Sequence, residues 1–575
     1  MPVGVRPRDG ALFWLGALLF SASLIFGGGA AAGFYLSDTL LQLLAIPCLL
    51  LALWRLSAGA KCNLGRSELL FCAALVAIPL LQLIPLPPSL WGILPARDLE
   101  KTALELSSNQ TAWMPISMAP KATWVSLLTL LPPIAVFLAT AQLTNHDRRT
   151  LSLVFLAAAV ISAFAGLLQT AHLWITQSEG NPEAVGLFAN RNHFAALLYS
   201  ATLIAAVWAI NGVFWRKDTS SKAGEMRHVL ALMGGFTLLT LLIAAQMMAR
   251  SRAGLGLTML ALLGALALSY ADKRRTRWTS ASGLIVAAVV TVIVFSLQFA
   301  LMRMLNRFDV DPLADARIAI AKNTFSAIKA AFPIGTGLGS FVPVYGAFEL
   351  PQDALIDRYI NHAHNDVLEL LMETGLAGAV LMVFAALWFL TRTRTAWWTP
   401  TTHGLEIDHG LTRAAALIIA LLVVHSFVDY HLRTETMMVT VAFCAALLVK
   451  APSDPDHHQS AENIATAMRQ SARETQPQTA RPIAVVRTAG TEQISWPESR
   501  SENTKTKDEE KTAQPLRAEN VSSPKQKSST GQNPSWGEAI KWPEAWRNPD
   551  SARPAADDKA RPDGSAPDKS GSDDV

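Results

Sequence analysis

Two histidines stand two residues apart in Asn361-His362-Ala363-His364-Asn365-Asp366, where a long polar stretch gives way to a new apolar run. An imidazole there can take up a proton near neutral pH, so the segment offers a general base at the depth where acyl chains end and water begins. The same residues also fit a plain helix start, with Asn361, Asn365 or Asp366 covering free backbone N–H groups. Arginines supply the complementary chemistry. Arg191 opens an apolar run between Asn190 and Asn192, Arg250-Ser251-Arg252 fills the short space between two others, and Arg317 begins an amphipathic segment. Two guanidinium forks in one Arg-x-Arg turn can converge on a single anion, such as a diphosphate on a lipid, with bidentate hydrogen bonds. A helix N-terminus at Arg191 adds backbone donors and a favourable dipole. A lone arginine beside a bilayer also fits a snorkelling end.

The rest of the chain must hold these groups in place, and its composition says how. Over 575 residues, 51% are hydrophobic and 16% charged, and the mean hydropathy is +0.28. Such a chain is too apolar for a soluble enzyme and too charged for a membrane protein throughout. The two characters separate along the sequence: residues 11–450 carry nearly every long apolar run, and 451–575 are rich in Ser, Pro, Lys, Glu and Asp. This predicts a polytopic membrane domain over 1–450 and a disordered cytoplasmic tail over 451–575, because low apolar content cannot offset ordering entropy. The body holds 32 basic and 25 acidic residues. That excess fits basic loops kept on one membrane face and does not point to nucleic acid.

A bilayer core of roughly 30 Å needs about 20 apolar residues per helix. Twelve runs qualify, near 11–33, 38–55, 67–85, 124–143, 150–172, 192–211, 228–249, 253–271, 282–302, 366–390, 411–428 and 434–450. The fold class expected is therefore an all-α integral membrane protein of about twelve spans. The first run follows Arg6 and Arg8 and is longer than a signal-peptide core, so we read it as a retained span. Basic residues on alternate loops, among them Arg55, Arg66, Arg148, Arg149, Lys273 and Arg392, place both termini in the cytoplasm. Two loops on the opposite face are long, about 86–123 and 303–365. The first reads as irregular and anchored at the interface by Trp91, Trp113 and Trp124; the second carries Ile318, Ala321, Phe325, Ile328 and Phe332 at helical steps, an amphipathic helix fit to wall a lipid groove.

Other motifs carry less. Gly335, Gly337 and Gly339 spell Gly-x-Gly-x-Gly, but no strand leads into them, and no P-loop lysine signature occurs, so a nucleotide site finds no support. Cys48, Cys62, Cys72 and Cys444 lack metal-ligand spacing. His425 through Arg433, with Asp429 and His431, reads as helix capping or as the source of another base.

In order and spacing, four of these places resemble the O-antigen ligase and polymerase superfamily of bacterial inner membranes: Gly186 to Phe194; Arg250-Ser251-Arg252-Ala253-Gly254; the Arg317 helix with the glycine loop; and His364-Asn365-Asp366 with Gly375. The resemblance spans most of 11–450 and none of the tail. It implies a GT-C-like body that transfers a glycan from undecaprenyl diphosphate to a hydroxyl at the periplasmic face, by inverting displacement and without nucleotide sugar, metal or other cofactor. By position, His364 would assist the acceptor hydroxyl, and Arg191, Arg250 or Arg252, and Arg317 would hold the diphosphate, with Asn190, Asn365 and Asp366 in support. The acceptor would be another glycan, lipid A core or a protein hydroxyl, and the partners would include membrane lipids and a cytoplasmic partner for the tail. A different class also fits twelve spans: a secondary transporter of a small solute or bicarbonate-like anion, with His425 on a proton path.

Overall fold

The computed structural model describes residues 10–29, 35–60, 62–171, 183–214, 222–270, 312–354, 359–398 and 406–452. The span expected near 282–302, the start of the second long loop and the tail beyond Pro452 lie outside these residues. Almost all the rest is helical. The elements are α1 Gly10–Phe26, α2 Tyr35–Ser57, α3 Arg66–Gln82, β1 Pro85–Leu86, α4 Pro88–Trp91, α5 Asp98–Leu106, β2 Met114–Pro115, α6 Pro120–Thr129, α7 Leu131–Ala141 and α8 Asn145–Thr170. They continue with α9 Arg191–Phe214, α10 Lys222–Ala249, α11 Arg252–Tyr270, α12 Pro312–Ala331, α13 Phe341–Tyr345, α14 Asp366–Trp398, α15 Glu406–His425, a 3-10 turn His431–Arg433, and α16 Glu435–Leu448.

Among the described residues, seven segments are long and apolar enough to cross a bilayer: Leu36–Ser57, Pro120–Ala141, Asn145–Thr170, Arg191–Asn211, Arg252–Ser269, Asp366–Trp398 and Ile407–His425; Gly10–Phe26, Met233–Ala249 and Glu435–Leu448 are shorter apolar helices. This is the all-α membrane architecture that the apolar runs predict. The run near 67–85 becomes α3, a 17-residue helix, and the run near 124–143 is split between α6 and α7, where Pro132 and Pro133 interrupt the backbone hydrogen bonding.

The helix α9 lies at the centre, packed by α8, α10, α11 and α15; Phe194, Ala195, Leu197, Tyr199 and Leu203 on it are fully buried. Outer helices show the reverse pattern, with Trp14, Leu36, Val380 and Leu387 exposed, as expected where the surrounding solvent is lipid. Two of the basic residues used to orient the chain also hold helices together. Arg148, nearly fully buried, donates to Thr140 O, Ala141 O and Val449 O and so covers the C-terminal carbonyls of two helices; Arg149 pairs with Asp408 at 2.8 Å.

The first long loop is more regular than its sequence suggests. β1 and β2 pair Pro85 with Pro115 and Leu86 with Met114. Trp91 is buried and donates to Pro115 O at 3.1 Å, whereas Trp113 and Trp124 are exposed. Gln82 ties this region to the glycine loop, accepting from Leu338 N and donating to Glu373 O, both at 2.9 Å. The glycine loop in turn runs beside α14, with Thr336 N to Met372 O at 3.0 Å, Gly337 N to Glu373 O at 2.8 Å and Leu376 N to Pro333 O at 2.8 Å. That pairing breaks α14 at Gly375, whose φ is +56°. A β-carbon there would stand 2.2 Å from Pro333 O. Gly375→Ala is expected to destabilise the protein by at least about 1–3 kcal/mol from backbone strain alone, seen as a lower thermal unfolding midpoint in detergent; an unchanged midpoint would contradict the tight approach.

Candidate active site

Three segments meet at one end of the helices: the start of α9, the loop 359–365 that leads into α14, and residues 426–434 between α15 and α16. Each is held by backbone groups. Asn190 Oδ1 accepts from Asn192 N at 2.8 Å at the start of α9. Asn365 Oδ1 accepts from Val367 N and Leu368 N, and its amide donates to Phe427 O. It is therefore the N-cap of α14, one of the roles its residue type allows. Asp366 joins α14 to the turn after α15, accepting from Ser426 Oγ at 3.1 Å and Leu432 N at 3.2 Å.

His364 sits between them with φ +49°. A non-glycine residue held in the left-handed region is uncommon and concentrates at functional sites. Glu369, one turn into α14, accounts for part of this: it accepts from His362 Nδ1 and from Ala363 N, each at 2.8 Å, and so pins the loop on both sides of Ala363. The His364 ring turns Nδ1 towards Asp429 Oδ1 at 3.4 Å. Asp429 is buried; it also accepts from Asn192 Nδ2 and from Tyr430 N. Burial opposes its charge, but the bond from His364 and the facing imidazoles of His193, His364 and His425 hold its carboxyl well below the usual range. An ionised Asp429 fixes the His364 ring with Nδ1 protonated, leaving Nε2 to accept a proton.

Tyr430 lies in the middle. His362 stacks on its ring, His364 and His193 meet it edge-on, and its hydroxyl is within reach of Asn190 Nδ2 and Asn361 Nδ2 at 3.4 and 3.5 Å. Beneath them is a buried charge cluster in which Arg433 reaches Glu373 at 2.9 Å, Glu369 at 3.5 Å and Asp366 at 3.8 Å. Burial works against the Arg433 charge, but Glu369, Glu373 and Asp366 outweigh it and raise its ionisation well above the ordinary arginine range.

Of the arginines named from the sequence, Arg191 and the Arg250–Arg252 turn lie by the start of α9, and Arg317 by His425 at the end of α15. Arg191 begins α9 and pairs with Glu183, a partner its sequence context did not reveal. Arg250 has φ +53°, and Ser251 caps α11 through Gly254 N at 3.0 Å. A β-carbon on Gly254 would lie 2.4 Å from Ala195 Cβ, so the Arg250–Arg252 turn is packed against α9 one turn from Arg191. Ala184 N bonds Met248 O at 3.1 Å and joins the same two segments. Arg317 interacts electrostatically with His425, and its buried Nε has no hydrogen-bond partner. On α12, Ile320, Ala327 and Ile328 pack inward while Ile318 and Phe325, with Phe332 just past its end, are exposed; an apolar stripe runs along the outside of the helix, but Ile328, which the sequence puts on that stripe, faces inward.

The described residues thus form an all-α membrane protein that sets an imidazole on a buried carboxylate at one end of its helices. Residues 236–383 match the model of a family described as O-antigen ligase, and the match supports a place in the O-antigen ligase superfamily. The matched stretch contains Arg250, Arg252, Arg317 and His364 and leaves out Arg191 and Asp429. No curated protein matches the chain. The family match and the fold together support a membrane protein of the O-antigen ligase or polymerase type, a glycosyltransferase-like enzyme whose family implies a lipid-linked glycan donor and a glycan acceptor.

Proposed function

We propose that the protein transfers a glycan from undecaprenyl diphosphate to a hydroxyl at the periplasmic face of a bacterial inner membrane, with both termini in the cytoplasm. Residues 1–450 form the catalytic membrane domain and 451–575 a cytoplasmic tail. The observation that carries this reading is the His364–Asp429 pair in a strained loop, with Arg317, whose buried Nε has no hydrogen-bond partner, interacting with His425, which also faces Asp429. A hydroxyl is a poor nucleophile until its proton leaves, whereas a lipid diphosphate leaves readily once its charge is balanced. His364 Nε2 takes the hydroxyl proton as the oxygen attacks the anomeric carbon, and Arg191, Arg250, Arg252 and Arg317 stabilise the departing diphosphate. Direct displacement inverts the anomeric centre. Asn190, Asn365 and Asp366 act by holding the three segments in register. The exposed stripe of Ile318, Phe325 and Phe332 offers an apolar wall for the polyprenyl chain.

Deleting the gene tests the reading. Uncapped polyprenyl-diphosphate glycan is expected to accumulate in the membrane and to disappear when the intact gene is restored. A deletion strain with unchanged lipid-linked glycan would sink the proposal.

A further inference from the structure

We infer that His362 is a second proton-transfer group of this site, the acid that meets the departing diphosphate while His364 serves the incoming hydroxyl; the inference rests on the transfer reading above. Its basis is a geometry that occurs twice. Each imidazole turns Nδ1 to a carboxylate only 1% exposed, His362 to Glu369 at 2.8 Å and His364 to Asp429 at 3.4 Å. Each lies against the Tyr430 ring, His362 stacked at 4.3 Å between centroids and His364 edge-on at 4.9 Å. Both side chains are partly open, 21% and 17% exposed. A ring held through Nδ1 presents Nε2, so two Nε2 atoms are offered at one rim, on either side of a single tyrosine.

The charges around the two rings differ. His362 faces Glu369 and Glu373 from α14, Arg433 and Tyr430 from the turn after α15, and His193 from α9; Asp366 joins the same cluster through Arg433. Three carboxyl groups share one guanidinium there, and a proton on His362 adds a second cation beside Glu369. His364 faces one carboxylate, Asp429, which His193 and His425 also face. The proton donor therefore belongs at His362 and the acceptor at His364.

The step balances as follows. The acceptor oxygen bonds to the anomeric carbon as the bond from that carbon to the diphosphate oxygen breaks, and the bonding pair leaves on that oxygen. The hydroxyl proton passes to His364 Nε2, and the leaving diphosphate takes a proton from His362 Nε2. Both imidazoles reset by exchange with water.

The test uses the purified full-length protein and membranes of the deletion strain, which supply accumulated polyprenyl-diphosphate glycan and the native acceptor, with transfer followed from about pH 5 to about pH 9. Wild type should give a bell. His362→Gln should lower the maximum by about 10²-fold or more and lose the alkaline descent while keeping the acid one. Glu369→Gln, which keeps the imidazole but weakens its hold on the proton, should move the alkaline descent to lower pH. A His362→Gln protein that is monodisperse and keeps both limbs overturns the inference; the cluster then holds its proton on Glu373 or Asp366, each of which has an oxygen without a hydrogen-bond partner. Wild type that transfers nothing overturns the transfer reading and this inference with it.

Discussion

Replacing His364 with alanine is expected to lower glycan transfer by about 10²–10⁴-fold, the range that general-base assistance contributes, while the protein remains inserted and folded. The ring is partly open and its one described bond is to Asp429, so its removal leaves no large cavity. The loop does not depend on it either: Glu369 holds His362 and Ala363, and Asn365 caps α14. A fall in transfer with an unchanged unfolding midpoint is thus the signature of lost chemistry. His364→Gln, which keeps a polar side chain without a titrating group, should be as inactive as the alanine variant. Near-normal transfer by either protein would remove His364 from the mechanism.

Much of the architecture was legible because bilayer thickness sets a length that apolar runs either meet or miss. Eleven of the twelve runs read from the sequence fall on described helices, but only seven of those meet the length and apolarity of a span. The site was legible only where residue type and local spacing carry it: His364 beside a helix start, and Arg250 with Arg252 in a turn too short for a loop. Asp429 was not, because its contact with His364 joins residues 65 apart and depends on how the end of α15 meets the start of α14. Tyr430 and His193 enter the site for the same reason. A signal for the cluster beneath did exist. Glu369 and Glu373, four apart at the start of an apolar span, share one helix face, and intramembrane acids call for a cationic partner. Arg433 was the arginine across from them. Helix capping was the more obvious reading of that turn, and for Asp366 and Asn365 capping and segment-joining are indeed part of what the side chains do.

Arg433 is also where a single change should cost the most stability. Arg433→Met keeps an apolar stem of similar length and leaves Glu369, Glu373 and Asp366 buried without their guanidinium. Removing one partner from a buried ionic cluster typically costs about 3–5 kcal/mol, because the charges left behind cannot reach water and the hydrogen bonds they keep do not replace the lost cation. The sign of the pH dependence follows. Uncompensated burial favours the neutral carboxyl, so in the variant these groups bind protons more tightly folded than unfolded, and stability falls as pH rises. The unfolding midpoint of Arg433→Met in detergent should therefore lie well below wild type at about pH 8 and recover part of the gap at about pH 5. Adding Glu373→Gln removes one of the stranded charges, and the double variant should be more stable than Arg433→Met alone, a coupling expected of groups in direct contact. A loss independent of pH, or additive effects of the two substitutions, would mean that Arg433 acts by packing and that the three carboxylates do not depend on its charge.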